Sequence, residues 1–243
     1  MKTSIKLMVC ALFLSTFANA QNWNGKKIKG NGVEKTENRT TTNYDEIKVS
    51  GFFDVDLIAG NEGQISVQAE ENLLQYIKIE VENNTLKIYS EKGINLQPTK
   101  WKKILVTVPF ESLNAVSLSG SGDVKSKAII KTNQFSANLS GSGDLNLQVD
   151  AQDIETKLSG SGDIGLAGNT SNFSTVISGS GDVTADDLKA KNVDVVVSGS
   201  GDVKVFCTEN LKVRVSGSGD ISYKGDPKTK DTKVSGSGNI SKD

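Results

Sequence analysis

The stretch Val197-Ser198-Gly199-Ser200-Gly201-Asp202-Val203-Lys204-Val205 decides the fold. Its centre, Ser-Gly-Ser-Gly-Asp, occurs six times, and a seventh copy ends in Asn. The copies begin at Ser119, Ser140, Ser159, Ser178, Ser198, Ser216 and Ser235, at intervals of 21, 19, 19, 20, 18 and 19 residues. Self-similarity at this period marks a solenoid, and the period is too short for most helical repeats, which need about 33 residues or more. The apolar residues around each copy alternate. Phe135, Ala137 and Leu139 precede one copy, and Leu145 and Leu147 follow it; Val193, Val195 and Val197 precede another, and Val203 and Val205 follow. Period two argues for strands with one face buried.

Each unit therefore reads as a strand, the glycine motif, a second strand and a variable polar link such as Ala167-Gly168-Asn169-Thr170-Ser171-Asn172. Stacking the units in register predicts an all-β fold, a parallel β-helix with coils of about 19 residues at about 4.8 Å spacing, so that seven coils span about 30 Å. The shared core should include Leu139, Leu158, Ile177, Val197, Val215 and Val234. If the motif stays extended, its glycines face inward and its Ser, Ser and Asp face outward. If it bends, the glycines supply a corner where a Cβ would clash.

The first half follows the same grammar less regularly. Val49-Ser50-Gly51-Phe52-Phe53-Asp54-Val55-Asp56-Leu57 aligns with the stretch quoted above and reads as a diverged coil. Further strands are expected at Ile65–Ala69, Ile77–Val81, Leu86–Tyr89 and Ile104–Val108, with a turn at Asn83-Asn84 and a short helical turn over Glu71–Tyr76. Residues 21–43, rich in Asn, Thr, Gly and Lys, read as a loose arm. One β-helix domain is expected over 44–243, irregular over 44–115 and regular over 116–243.

Met1–Ala20 has the parts of a secretory signal: Lys2 and Lys6, the apolar run Leu7–Phe13, and the small-residue site Ala18-Asn19-Ala20. A lipoprotein reading of Cys10 would need a small residue before it, and Val9 stands there. The chain is thus expected to be exported, to the periplasm, the outer surface or the medium, and to start at Gln21. No other apolar stretch is long enough to span a bilayer.

Composition narrows the function. The 243 residues include 28 basic and 29 acidic side chains, 3 Pro and no His. That balance excludes a basic nucleic-acid binder or an acidic disordered tail as the whole molecule. The lack of His excludes Ser-His-Asp and Cys-His catalysis and His-ligated zinc. Cys207, the one cysteine after the leader, has no internal partner and reads as a small buried hydrophobe.

The leader, the Gly51–Val55 coil, Glu70-Glu71-Asn72-Leu73-Leu74 and the Ser-Gly-Ser-Gly-Asp array together resemble the bacterial family called "putative auto-transporter adhesin, head GIN domain", over roughly residues 44–237. The resemblance implies a right-handed β-helix related in fold to pectate lyases. It supplies no catalytic residues.

The outward ladder of Asp123, Asp144, Asp163, Asp182, Asp202 and Asp220, with Asn239 last, is the main constellation. Stacked carboxylates repel by roughly 0.9 kcal/mol per neighbouring pair in water. One reading is local: each Asp accepts hydrogen bonds from Ser hydroxyls or Gly amides and holds its turn. The other is Ca²⁺ bridging between coils, against which stands the lack of the Gly-Gly-x-Gly-x-Asp repeat of calcium-binding β-rolls. A glycosidase needs acid and base in unlike environments, which identical repeats do not offer. A Ser ladder serving as an ice-binding array fits less well, since such faces favour paired Thr. Gly-Ser-Gly is no phosphate loop, because no Gly-Lys-Ser/Thr follows. Trp23 and Trp101 are candidate sugar platforms. Trp101, Lys102 and Lys103 form a candidate contact for an anionic glycan; the other reading is an edge Trp packed on a coil beside solvated lysines. No cofactor is implied. The leading expectation is a non-enzymatic surface protein that binds a surface glycan or an envelope protein, with a polysaccharide-active β-helix enzyme as the alternative.

Overall fold

A computed structural model describes residues 25–243. The leader and Trp23 lie outside the described residues. The chain is nearly all β, 70% strand and 2% helix, wound into a solenoid of about seven turns. Its irregular part comprises β1 (Lys26–Lys29), β2 (Glu34–Thr40), β3 (Glu46–Gly51), β4 (Asp54–Ala59), β5 (Gln64–Glu70), the one-turn helix α1 (Glu71–Leu74), β6 (Ile77–Glu82), β7 (Thr85–Ser90), β8 (Ile94–Gln97) and β9 (Leu105–Phe110). The regular part comprises β10 (Ala115–Gly120), β11 (Asp123–Ser126), β12 (Ile130–Gly141), β13 (Asp144–Gly160), β14 (Ile164–Gly179), β15 (Val183–Gly199), β16 (Val203–Gly217), β17 (Ile221–Lys224), β18 (Thr229–Gly236) and β19 (Ile240–Lys242).

Two parallel faces result. The segments before each motif stack as β7–β3–β10–β12–β13–β14–β15–β16–β18. Those after it stack as β9–β4–β11–β13–β14–β15–β16–β17–β19. The long strands β13 to β16 contribute to both. The expected polar link Ala167–Asn172 is therefore extended and paired inside β14, not a loop. Its backbone groups need partners, and the neighbouring coils supply them.

Leu139, Leu158, Ile177, Val197 and Val215 form one buried column in direct register. Each contributes about 1.5–3 kcal/mol by leaving water. Val234 continues the register but is 37% exposed. It belongs to the last coil, and no described segment stacks upon it. Thr156 and Thr175 also lie in the core, fully buried, and join hydroxyls at 2.7 Å.

The motif combines both sequence alternatives. The first glycine of each copy takes φ of 138–148° at Gly160, Gly179, Gly199 and Gly217, while Ser159 and Ser161 face solvent and Gly162 is buried. A Cβ on Gly160 would overlap the carbonyl of Gly141, and one on Gly162 that of Gly143. Only glycine lets successive corners stack this closely.

Residues 26–29 and 34–40 are strands, which corrects the loose-arm reading of that part. β1 pairs parallel with β8, and β2 pairs antiparallel with β5. Nothing in their side-chain pattern announces this; the open edges of β8 and β5 capture them by backbone pairing. The chain order is also permuted. The coil of β3 and β4 lies between that of β7 and β9 and that of β10 and β11. Antiparallel β6 on one face and β5 with β2 on the other close this end, and Leu73 and Leu74 of α1 are buried there. The turn at Asn83-Asn84 has φ of 49° and 59°, as a two-residue hairpin turn requires.

Candidate functional site

The Asp ladder is a staple between coils. Asp182 donates its backbone N–H to Asp163 Oδ1 at 2.9 Å, Asp163 to Asp144 at 3.0 Å, Asp202 to Asp182 at 2.8 Å and Asp220 to Asp202 at 2.8 Å. Asn239 donates to Asp220 at 2.8 Å. At the other end Asp123 donates to Asp54 at 3.2 Å, a separate rung supplied by the diverged coil, while the Asp123 carboxylate faces Lys125 at 3.5 Å. The acceptor role matches the local reading, but the donor differs from it: the backbone amide of the next coil's Asp, rather than a Ser hydroxyl or Gly amide of the same turn. The straight extension of the chain after each motif aims that amide down the stack. Among the described residues no three Asp, Glu, Cys or His side chains converge to hold a metal.

Trp101, Lys102 and Lys103 do not form one spot. Lys102 pairs with Glu34 at 3.2 Å, and Lys103 with Asp54 at 2.7 Å. Trp101 does not pack on a coil either; it is 89% exposed. It occupies the third position of a turn closed by the Lys102 N–H donating to the Thr99 carbonyl at 2.9 Å, with φ of 72°. That position ordinarily takes Gly or Asn. Lys100, not chosen from the sequence, holds its Nζ 5.2 Å from the indole centroid.

Glu70 fixes this turn. It is buried, and it accepts from the Thr99 N–H at 2.8 Å, the Thr99 hydroxyl at 2.6 Å and the Gly32 N–H at 2.5 Å. Burial pushes its carboxyl up, but the hydrogen bonds from Thr99 and Gly32 and the Lys102 charge outweigh it. The group is held below the ordinary carboxylate value. Cys207 is buried, which pushes its thiol up and away from nucleophilic use.

A groove of about 1380 Å³ runs across the coils from β3 and β10 to β16. The sequence analysis did not single it out. Its spine is a column of side chains joined end to end. Thr229 donates to Asn210, Asn210 to Asn192 at 2.6 Å, Asn192 to Asn172 at 2.9 Å and Asn172 to Asp153 at 2.6 Å. Each stands six residues before a motif, as does Gln134, and that constant offset is the signal that could have revealed it. Beside the spine run Ser136, Glu155, Ser174, Asp194 and Lys212 in direct register. Most of the groove's acids are matched: Glu155 pairs with Lys157 at 2.8 Å and Asp194 with Lys212 at 2.7 Å, while Asp153 has no ion-pair partner among the described residues. The surface presented is polar, hydrogen-bonding and mildly acidic.

The comparisons with known proteins agree with this architecture. The family described as "Putative auto-transporter adhesin, head GIN domain" matches residues 43–227. The chain belongs to this family. Among solved structures, the chain is similar to one from Bacteroides fragilis described as a putative adhesin, at 24% identity and TM-score 0.79, covering 89% of this chain and all of that one. It is also similar to one from Parabacteroides distasonis described as a putative lipid binding protein, at 29% identity and TM-score 0.74, covering 90% and 100%. A second P. distasonis structure, described as a putative adhesin, matches at 26% identity and TM-score 0.72, covering 89% and 100%. No curated protein matches the chain. Among the described residues no helix is long and apolar enough to cross a membrane.

Proposed function

We propose that this family member is an exported, non-enzymatic surface protein that binds an elongated, uncharged glycan along the asparagine groove. The observation that carries the reading is the hydrogen-bonded column from Asp153 to Thr229 lining a groove of about 1380 Å³. Asn172 and Asn210 each keep a second N–H, and the Asn oxygens keep further acceptor capacity, so the column can both donate to and accept from sugar hydroxyls. The coils repeat at about 4.8 Å, close to the length of one sugar unit, so a chain of sugars can meet one rung after another. The acids of the groove are paired except Asp153, so the groove offers no cationic field to attract an anionic polymer. Membership of a family named for adhesins supports contact rather than chemistry, and a uniform column lacks the unlike acid and base that hydrolysis requires.

A glycan array paired with a reducing-end assay tests this. Binding to neutral glycans without release of reducing ends is expected. Depolymerisation that disappears on changing a single groove acid would establish the enzyme alternative, and an array without neutral binders would refute the proposal.

A further inference from the structure

We propose that the end of the solenoid carrying Trp101 docks on an anionic lipid surface. Trp101 is the most exposed large apolar side chain among the described residues, and its positive φ is unfavourable for a bulky residue. Such a conformation persists only where the surroundings impose it. Here the three hydrogen bonds to buried Glu70 impose it, through Thr99 and Gly32. The fold therefore holds an indole out in water on a rigid turn. Relaxing it into a packed rotamer or replacing it by Gly would cost the structure nothing that is visible in its contacts.

The charges around the indole divide into two sets. Lys35, Lys78, Lys102 and Lys103 are paired with Glu71, Glu91, Glu34 and Asp54. Lys26, Lys27, Lys29, Lys92 and Lys100 are exposed and have no ion-pair partner among the described residues. Lys100 holds its Nζ 5.2 Å from the indole centroid. Lys29 lies opposite Gln97 in the β1–β8 ladder, and the Gly30 N–H donates to the Gln97 carbonyl, four residues before the indole. The Lys26 N–H donates to the Gly93 carbonyl, next to Lys92, at the far end of the same two-stranded ladder. The ladder that leads to the indole thus carries five ammonium groups without an ion pair among the described residues.

An amphipathic ring at headgroup level with ammonium groups reaching phosphates is how proteins meet an anionic bilayer. Lys100 lies over one face of the ring and adds an ammonium beside it. The groove runs along the stack from Glu46 of β3 and Ala115 of β10 to β16, and Trp101 is not among its lining residues. Docking by the Trp101 end leaves it free.

The test uses the protein without Met1–Ala20, so that the leader cannot insert, and with Trp23→Phe, so that Trp101 is the one remaining tryptophan of the two. The probes are phosphatidylcholine vesicles and mixed phosphatidylcholine–phosphatidylglycerol vesicles. Binding to the mixed vesicles alone is expected, with a blue shift of the indole emission and weakening as salt is added. Trp101→Ala should reduce binding as read by co-sedimentation with the mixed vesicles. Changing Lys26, Lys27 and Lys29 together to Gln should lower the partition coefficient about a hundredfold, at roughly fivefold per lysine. Thermal melts of both variants should match the parent. No binding to the mixed vesicles, or binding that neither variant alters, would overturn the proposal. A blue shift with a soluble anionic polysaccharide but not with vesicles would also overturn it and assign the site to glycan.

Discussion

Asp163 is the rung at which the ladder's role can be measured. Its Oδ1 accepts the Asp182 N–H, and its own N–H is given to Asp144. Replacement by Asn keeps an oxygen acceptor in place and removes one charge. The acceptor weakens, because a hydrogen bond to a charged group contributes about 1.5–3 kcal/mol against about 1 kcal/mol for a neutral pair. Solvent exposure of both residues puts that loss near 0.5–1 kcal/mol. Against it, two repulsions of roughly 0.9 kcal/mol each at about 4.8 Å are relieved in water of low ionic strength. Salt with a Debye length near 8 Å removes part of that relief. Asp163→Asn should therefore be neutral to slightly stabilising at low salt and near neutral at physiological salt. Asp163→Ala deletes the acceptor and should cost on the order of 1 kcal/mol. Urea unfolding at two ionic strengths checks both values, and adding Ca²⁺ should leave each curve in place beyond screening. A cost above about 2 kcal/mol for Asp163→Asn, or a Ca²⁺-specific stabilisation lost in that variant, would refute the staple account and favour metal bridging.

Three other perturbations probe the core and the capped end. Gly162→Ala puts a methyl into the Gly143 carbonyl at a backbone position that is otherwise ordinary, so urea unfolding should show a loss of about 3 kcal/mol or more; a loss under about 1 kcal/mol would mean the coils can separate. Thr156→Val leaves the buried Thr175 hydroxyl without its partner and should cost about 1–3 kcal/mol, while the double change to Val at both positions should recover most of it; calorimetric melting of the single and double variants separates these outcomes. Glu70 is held below its ordinary value, so its stabilisation is complete above the unfolded carboxylate pKa of about 4.3 and is lost as pH falls through the folded value. The melting temperatures of the parent and Glu70→Gln should thus differ at neutral pH and draw together only as pH falls below the ordinary carboxylate value and through the lower folded one; parallel curves would show that the Thr99 and Gly32 bonds do not depend on the charge.

The solenoid was legible because its information is local and repeated. Leu139, Leu158, Ile177, Val197 and Val215 each stand directly before a motif and inside a period-two pattern. The strands β1 and β2 were not legible, because Lys26–Lys29 offers one apolar residue and Glu34–Thr40 none. Edges that belong to β8 and β5 make them strands, and sequence shows no edges. The permuted order of the first coils is lost for the same reason. Val234 misleads from the opposite direction: it stands directly before a motif like the others, but burial needs a further coil above it. At the sites, the Asp column could be placed on the outside and its hydrogen-bond donor could not, since that depends on the approach of the next coil. The Asn column was present at a fixed offset but lies in stretches that read as polar links. Trp101 was visible as a residue, whereas its exposure rests on Glu70, which is 31 residues earlier in the chain.

Hydrogen exchange with and without the best neutral glycan from the array tests the central claim most directly, because it locates the contact. Slowed exchange is expected around residues 132–136, 152–155, 171–174, 192–194 and 210–212, one segment in each successive coil, and it should vanish when Asn172 and Asn192 are both changed to Ala. Protection along the exposed serines of the motifs instead, or an unchanged pattern at saturating glycan, would contradict the assignment of the groove as the binding face.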